Sequence, residues 1–229
     1  MSARLQTSFF FNTSYLDIKY MNELLEELES VLIESGNPIL KNMDEDLHYK
    51  TKELIVEYFN NCDFNCLPEL LDLYLWKTGC SHELLFNYRK TVESDSFTKL
   101  TTFGNYASYI TATSLYINNL HSNVFYPKCC DNMLPFIFYG NFEYPIFLDM
   151  NPQSDTYKSL CLFCPPVTKS DKPVMMYDSL ENWLKTVILC YKQKIYHIDE
   201  RGALITNADA EYILSKEMNP KSPYWKIYV

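Results

Sequence analysis

Glycine is scarce, with 5 residues in a chain of 229. Loops that cradle phosphate need glycine where the backbone approaches a ligand closely or takes a positive φ. The shortage weighs against a nucleotide-binding fold built on glycine loops, and neither a P-loop nor a G-x-G-x-x-G run occurs. A G-x-S-x-G nucleophile elbow and an H-E-x-x-H helix are missing as well. The histidines His48, His82, His121 and His197 stand outside any such pattern. Carboxylate runs such as Asp44-Glu45-Asp46 and Asp199-Glu200 read as solvated charge. These absences lead to the expectation of a protein that is not an enzyme and carries no cofactor.

Basic residues are also short, 20 against 29 acidic, which leaves a net charge of -9. Nucleic-acid phosphates repel such a chain, so no nucleic-acid partner is expected. No long apolar run exists. The longest uncharged stretch, Leu100 to Pro127, is full of Thr, Asn, Ser and Tyr, which are costly in lipid, so no membrane helix is expected. The first twenty residues hold only the short apolar run Phe9–Phe11 and no cleavage-site pattern, so a cytoplasmic location is expected. The 8 cysteines fall below the density of a disulfide scaffold and read as small buried hydrophobes. Cys161-x-x-Cys164 and the pair Cys62 and Cys66 have ligand-like spacing. A zinc site needs four ligands held tetrahedrally, and in a strand a spacing of three points side chains to opposite faces, so no metal is expected.

What the chain does have is apolar and aromatic substance: 47 % hydrophobic residues, with 19 Tyr and 14 Phe. One domain of this length buries about 70 % of its unfolded surface and needs no staple. The charge is uneven. Residues 1–115 carry 17 acidic and 9 basic side chains, whereas 116–229 are nearly balanced. An acidic first half suits either solubility or a basic partner.

Periodicity gives the organisation. Residues 1–18 read as an arm or a first strand. Met21, Leu24, Leu25, Leu28, Val31 and Leu32 form one helical stripe over 20–34, with Glu23, Glu26, Glu27 and Glu34 opposite and no Lys or Arg to offset them. Gly36-Asn37-Pro38 ends that helix. An acidic loop at Asp44, Glu45 and Asp46 leads to a second helix near 50–60, with Leu54, Ile55, Tyr58 and Phe59 inward. A third runs from Pro68 to about Lys77, burying Leu70, Leu71, Tyr74 and Leu75 or Trp76, with Gly79 as its stop. A strand is expected at 84–88. Residues 97–120 mix strand composition with helical spacing, and the spacing predicts a helix near 105–118.

Strands are expected at 134–139, 145–149, 159–164 and 174–177, with Gly140-Asn141 and Asn151-Pro152 as turns. Such short, close strands predict an antiparallel meander. Asp149 ends one of them and suits the role of turn-closing carboxylate. A helix should follow Asp178, with Asp178 and Glu181 as a capping box and Leu180, Trp183, Leu184, Val187, Ile188 and Tyr191 inward. A hairpin over 195–205 and a helix at 208–218 capped by Asn207 complete the chain.

Three segments together resemble a known superfamily. Cys66-Leu-Pro-Glu-Leu-Leu-Asp-Leu-Tyr-Leu-Trp-Lys-Thr-Gly79 is similar to the leucine–proline, helix, tyrosine, glycine signature of the SUKH superfamily. Leu134-Pro135-Phe136, then Gly140, Tyr144 and Phe147-Leu148-Asp149, resembles its adjacent central strands. Asp178-Ser-Leu-Glu-Asn-Trp-Leu184 looks like its late helix. The chain departs from the pattern in having Thr78 before Gly79, few glycines near 140, and a long stretch at 97–127. The resemblance covers about 50–198 of a single domain, between an acidic helical lead-in and a helical tail at 203–229. It implies an α+β fold with a mostly antiparallel central sheet and helices packed around it. It implies a binding protein: either an immunity protein that neutralises a toxin, such as a basic nuclease domain, or a Smi/Knr-type regulatory scaffold that binds host proteins. The contact residues expected on this reading are Glu23, Glu26, Glu27, Glu34, Asp44, Glu45, Asp46 and Asp149. Leu71 and Trp183 are expected to be buried.

Overall fold

A twenty-residue helix, α1 (Tyr15–Glu34), forms one wall of the core. The computed structural model describes residues 15–41, 51–61, 65–77, 102–103, 132–138 and 146–226. Met21, Leu24, Leu25, Leu28, Val31 and Leu32 are all buried, as the stripe requires. The helix starts earlier than its apolar pattern, so 15–18 are helical rather than arm or strand. Gly36 closes it at φ +67°, a region open to glycine, and the Asn37 N–H reaches the Leu32 carbonyl at 2.9 Å. Asn37 then donates through Nδ2 to the Tyr191 hydroxyl at 2.8 Å, tying the helix end to the core.

Helix α2 (Lys52–Asn61) buries Ile55 and Phe59. Helix α3 (Pro68–Trp76) opens on its proline, whose missing N–H costs nothing at that position. Its buried residues are Leu70, Leu73 and Tyr74. Leu71, expected inside, is only partly buried. The face of a nine-residue helix is set by the helix it meets, and α1 selects the 70/73/74 stripe. The expected strand at 84–88, the helix at 105–118 and Gly79 lie outside the described residues. Within the ambiguous stretch at 97–120, Thr102–Phe103 form a short strand, β1.

The central sheet is an antiparallel meander in the order β1-β2-β3-β4-β5. Its further strands are β2 (Met133–Phe138), β3 (Ile146–Asp149), β4 (Leu160–Leu162) and β5 (Val174–Tyr177). The register places Ile146 opposite Leu162, Phe147 opposite Cys161 and Leu148 opposite Leu160. Alternation sends Ile146, Leu148, Leu160 and Leu162 into the main core, and Phe147 and Cys161 to the other face. All seven residues of β3 and β4 are buried, so both faces of this pair are covered. A single turn, α4 (Pro165–Thr168), separates β4 from β5.

Helix α5 (Leu180–Lys192) lays Leu180, Trp183, Leu184, Val187 and Ile188 across the core. Trp183 is fully buried and stands edge-on to Phe136 at 5.6 Å. Its cap is Ser179, whose side chain accepts the Asn182 N–H, rather than the expected Asp178 and Glu181 pair. The Asp178 carboxylate instead accepts the Lys221 N–H at 3.2 Å, which takes it away from the helix. Strands β6 (Tyr196–Ile198) and β7 (Leu204–Thr206) form a separate hairpin. Helix α6 (Ala208–Met218) follows, capped by Asn207.

The tail after α6 returns to the sheet. Ser222 Oγ donates to the Met175 carbonyl at 2.9 Å, and Trp225 Nε1 to the Met176 carbonyl at 2.6 Å. Tyr224 and Trp225 are fully buried in a short 3-10 turn, with Trp225 packed on Tyr177.

Candidate functional site: an acidic helix face and the cleft at its end

At 100° per residue, Glu23, Glu27, Ser30 and Glu34 fall on one stripe of α1, and Glu26 and Ile33 lie beside it. Glu23, Glu26 and Glu34 are exposed and Glu27 is half-buried, so the four glutamates share the side turned from the core. They are not free of basic neighbours, as the local sequence suggested. Lys192, at the end of α5, bonds Glu27. The two residues are 165 positions apart, beyond the reach of helical periodicity. Glu34 accepts a hydrogen bond from Ser30 Oγ at 3.1 Å. Glu29, absent from the sequence reading, accepts one from Trp76 Nε1 at 3.0 Å.

Asp44, Glu45 and Asp46 lie outside the described residues. Asp149 is not at the surface: it is 1 % exposed. One carboxylate oxygen accepts the Asn151 N–H at 2.9 Å and the other the Thr156 hydroxyl at 2.7 Å. The carboxylate organises the loop between β3 and β4, the turn-closing role, and is out of a partner's reach.

A cleft of about 310 Å³ opens beside the second turn of α1. Tyr20, Met21, Pro68, Glu69, Asp72, Lys158 and Glu181 line it. Met21 meets the start of α3 here, while Glu29 meets Trp76 at its end. Likewise Lys185 sits over the Tyr20 ring at 5.0 Å, and Lys192 bonds Glu27 further along. Helices α3 and α5 therefore run in the same direction as α1, and their N-termini converge on the cleft. Acidic residues in those first turns, Glu69 and Glu181, suit the positive ends of the helix dipoles.

Most of the cleft's charge is internally balanced. Lys158 Nζ bonds Glu69 at 2.7 Å, and Lys185 Nζ bonds Glu181 at 2.6 Å. Burial alone would lower the Lys185 ammonium, but hydrogen bonds from it to Glu181 and Tyr20 outweigh that and raise it. Asp72 is the exception. Its Oδ2 is buried with no hydrogen-bond partner. Burial, and then the neighbouring Glu69, lift its carboxyl above the usual range, against the pull of Lys52. The Cys66 thiol is pushed up to about 12, by burial first and by Glu69 and Asp72 next. It is therefore a poor nucleophile. Pro68 was legible as a helix start. The meeting of residues 20, 69, 72, 158 and 181 was not, because no local pattern spans those separations.

Cys161 sits on the far face of the sheet, and Cys164 caps α4 in the main core. Among the described residues, no group of three His, Cys, Asp or Glu side chains could hold a metal ion. Nor is any helix there long and apolar enough to cross a membrane. No protein-family model matches the chain, and no curated protein matches it.

Proposed function

We propose that the chain is a non-enzymatic protein-binding domain of the immunity type, which neutralises a basic toxin by covering it. The observation that supports this best is the outer face of α1, where Glu23, Glu26 and Glu34 are exposed on one helix. That helix belongs to the half of the chain that holds 17 of the 29 acidic residues. A single-signed patch draws an oppositely charged partner and raises its on-rate by roughly 10–10³-fold at low salt. A nuclease, which must carry basic residues to grip phosphate, is the kind of toxin such a face suits. On this reading, α1 presents carboxylates where the toxin's substrate would present phosphates. The resemblance of 66–79, 134–149 and 178–184 to the SUKH superfamily supports the same reading independently.

The test is a growth assay in which the gene is expressed together with an adjoining toxin-like reading frame. Rescue is expected, and cells that die equally fast with and without this protein refute the proposal. Reversing Glu23, Glu26 and Glu34 to Lys should slow association at least tenfold at low salt and leave the melting temperature nearly unchanged.

A further inference from the structure

Two isoleucines dominate the exposed apolar residues of the described surface: Ile33 on α1, 64 % exposed, and Ile213 on α6, 65 % exposed. A lone exposed isoleucine is ordinary, so the surroundings decide its meaning. Ile213 has Asp209 a turn before it and Lys216 and Glu217 a turn after, a mixed environment. Along α1 itself, the charged residues next to Ile33 are all acidic. Glu29 and Glu26 precede it by one and two turns on the same side, and Glu34 follows it. Glu26 has no hydrogen bond or ion pair among the described residues. Through its bond to Glu29, the half-buried Trp76 indole lies one turn from Ile33. An aliphatic anchor beside a tryptophan, with charge confined to the rim, is how energetically dominant interface spots are built.

We infer that this face of α1 docks one basic amphipathic helix of a protein partner, with an apolar residue of that helix on Ile33 beside Trp76 and its lysines or arginines on Glu26 and Glu34. The inference rests on the proposed binding role and adds the shape and composition of the bound element. Asn22, Glu26, Glu29 and Ile33 follow one another at the spacing by which one helix lies along another. Their span is about 16 Å at 1.5 Å per residue, enough for roughly three turns of a partner helix. Charge complementarity selects the occupant. A second copy would set carboxylates against carboxylates, and an anionic membrane surface would be repelled.

The experiment uses the full chain and two fluorescein-labelled, end-capped peptides made only of Leu and Lys. One has its leucines at helical i, i+3, i+4, i+7 positions, and the other is a scrambled isomer of equal charge. Fluorescence anisotropy should show the amphipathic peptide binding about tenfold more tightly than its isomer. Ile33→Ser, at an exposed position, should erase that preference. Glu26→Gln with Glu34→Gln should weaken both peptides alike. Equal binding of both peptides, untouched by Ile33→Ser but weakened by the glutamine pair, overturns the apolar anchor and leaves the acidic reading of α1 standing. Binding of neither peptide, or binding indifferent to the glutamine pair, overturns both. Sedimentation of the protein alone supplies a last outcome. A concentration-dependent dimer abolished by Ile33→Ser would seat a second copy on this face and refute the inference.

Discussion

Replacing Asn219 with Ala should unfold the tail's anchor and cost the domain about 3–4 kcal/mol. Asn219 is 1 % exposed at the end of α6 and ties that helix to α5 and to the residue that leads into it. Its Oδ1 accepts the Asp178 N–H at 3.0 Å, at the entry to α5. Its Nδ2 donates to the Ser215 carbonyl at 2.9 Å and to Thr186 Oγ1 at 3.2 Å. Thr186 spends its own hydroxyl proton on the Asn182 carbonyl at 2.6 Å, so it offers Asn219 only a lone pair. Three side-chain hydrogen bonds at about 1 kcal/mol each, plus a stranded Asp178 N–H, give the figure. Against a typical total of about 5–15 kcal/mol, that is a large share. Urea unfolding followed by circular dichroism and tryptophan fluorescence measures it, with an unchanged slope showing that only stability moved. Asn219→Asp sharpens the test. It preserves the shape but, when ionised, aims a carboxylate oxygen at two acceptors, so it should be at least as damaging as Ala at pH 7. A loss under about 1 kcal/mol for Ala, or a milder effect for Asp than for Ala, would refute the network as described.

Two further outcomes follow from the packing and the cleft. Leu70→Ala should cost about 2–5 kcal/mol, and Leu71→Ala distinctly less, because only Leu70 is fully buried; equal losses in urea titrations would put the wrong face of α3 inward. Asp72→Asn should stabilise the protein at neutral pH. The folded state holds this carboxyl above its unfolded value of about 3.9, so folding disfavours the charged form, and the penalty grows as pH rises through that range. Well below that unfolded value the carboxyl is protonated in both states and the advantage should fade. A urea midpoint for Asp72→Asn that lies below the parent's at pH 7 contradicts this account.

Local chemistry was readable from the residues themselves. Asn207 announces α6, Pro68 announces α3, and Val174–Tyr177 forms a strand with the bounds its composition suggests. The antiparallel meander follows from short strands set close together, whereas the α+β class was what the family resemblance implied. What escaped was decided between distant residues. Ser179 and Asp178 are both good caps, and Lys221, 43 positions away, settles which is used. Glu27 looked unopposed until α5 brought Lys192 to it. Asp149 ends β3 and closes its turn as expected, but the next loop folds its own donors onto the carboxylate and so removes it from a partner's reach.

Strand β5 is one end of the sheet order, opposite β1, so it is an edge where another chain's strand could attach. The tail prevents this without forming a strand. Ser222 and Trp225 occupy the carbonyls of Met175 and Met176, and the buried Tyr224 and Trp225 fill the space a guest strand would enter. The last described turn thus occupies the side of β5 that a guest strand would need. Removing 220–226 exposes two unsatisfied acceptors and an apolar flank along β5 together. The expected result, beyond the stability lost with two buried rings, is chains that join edge to edge.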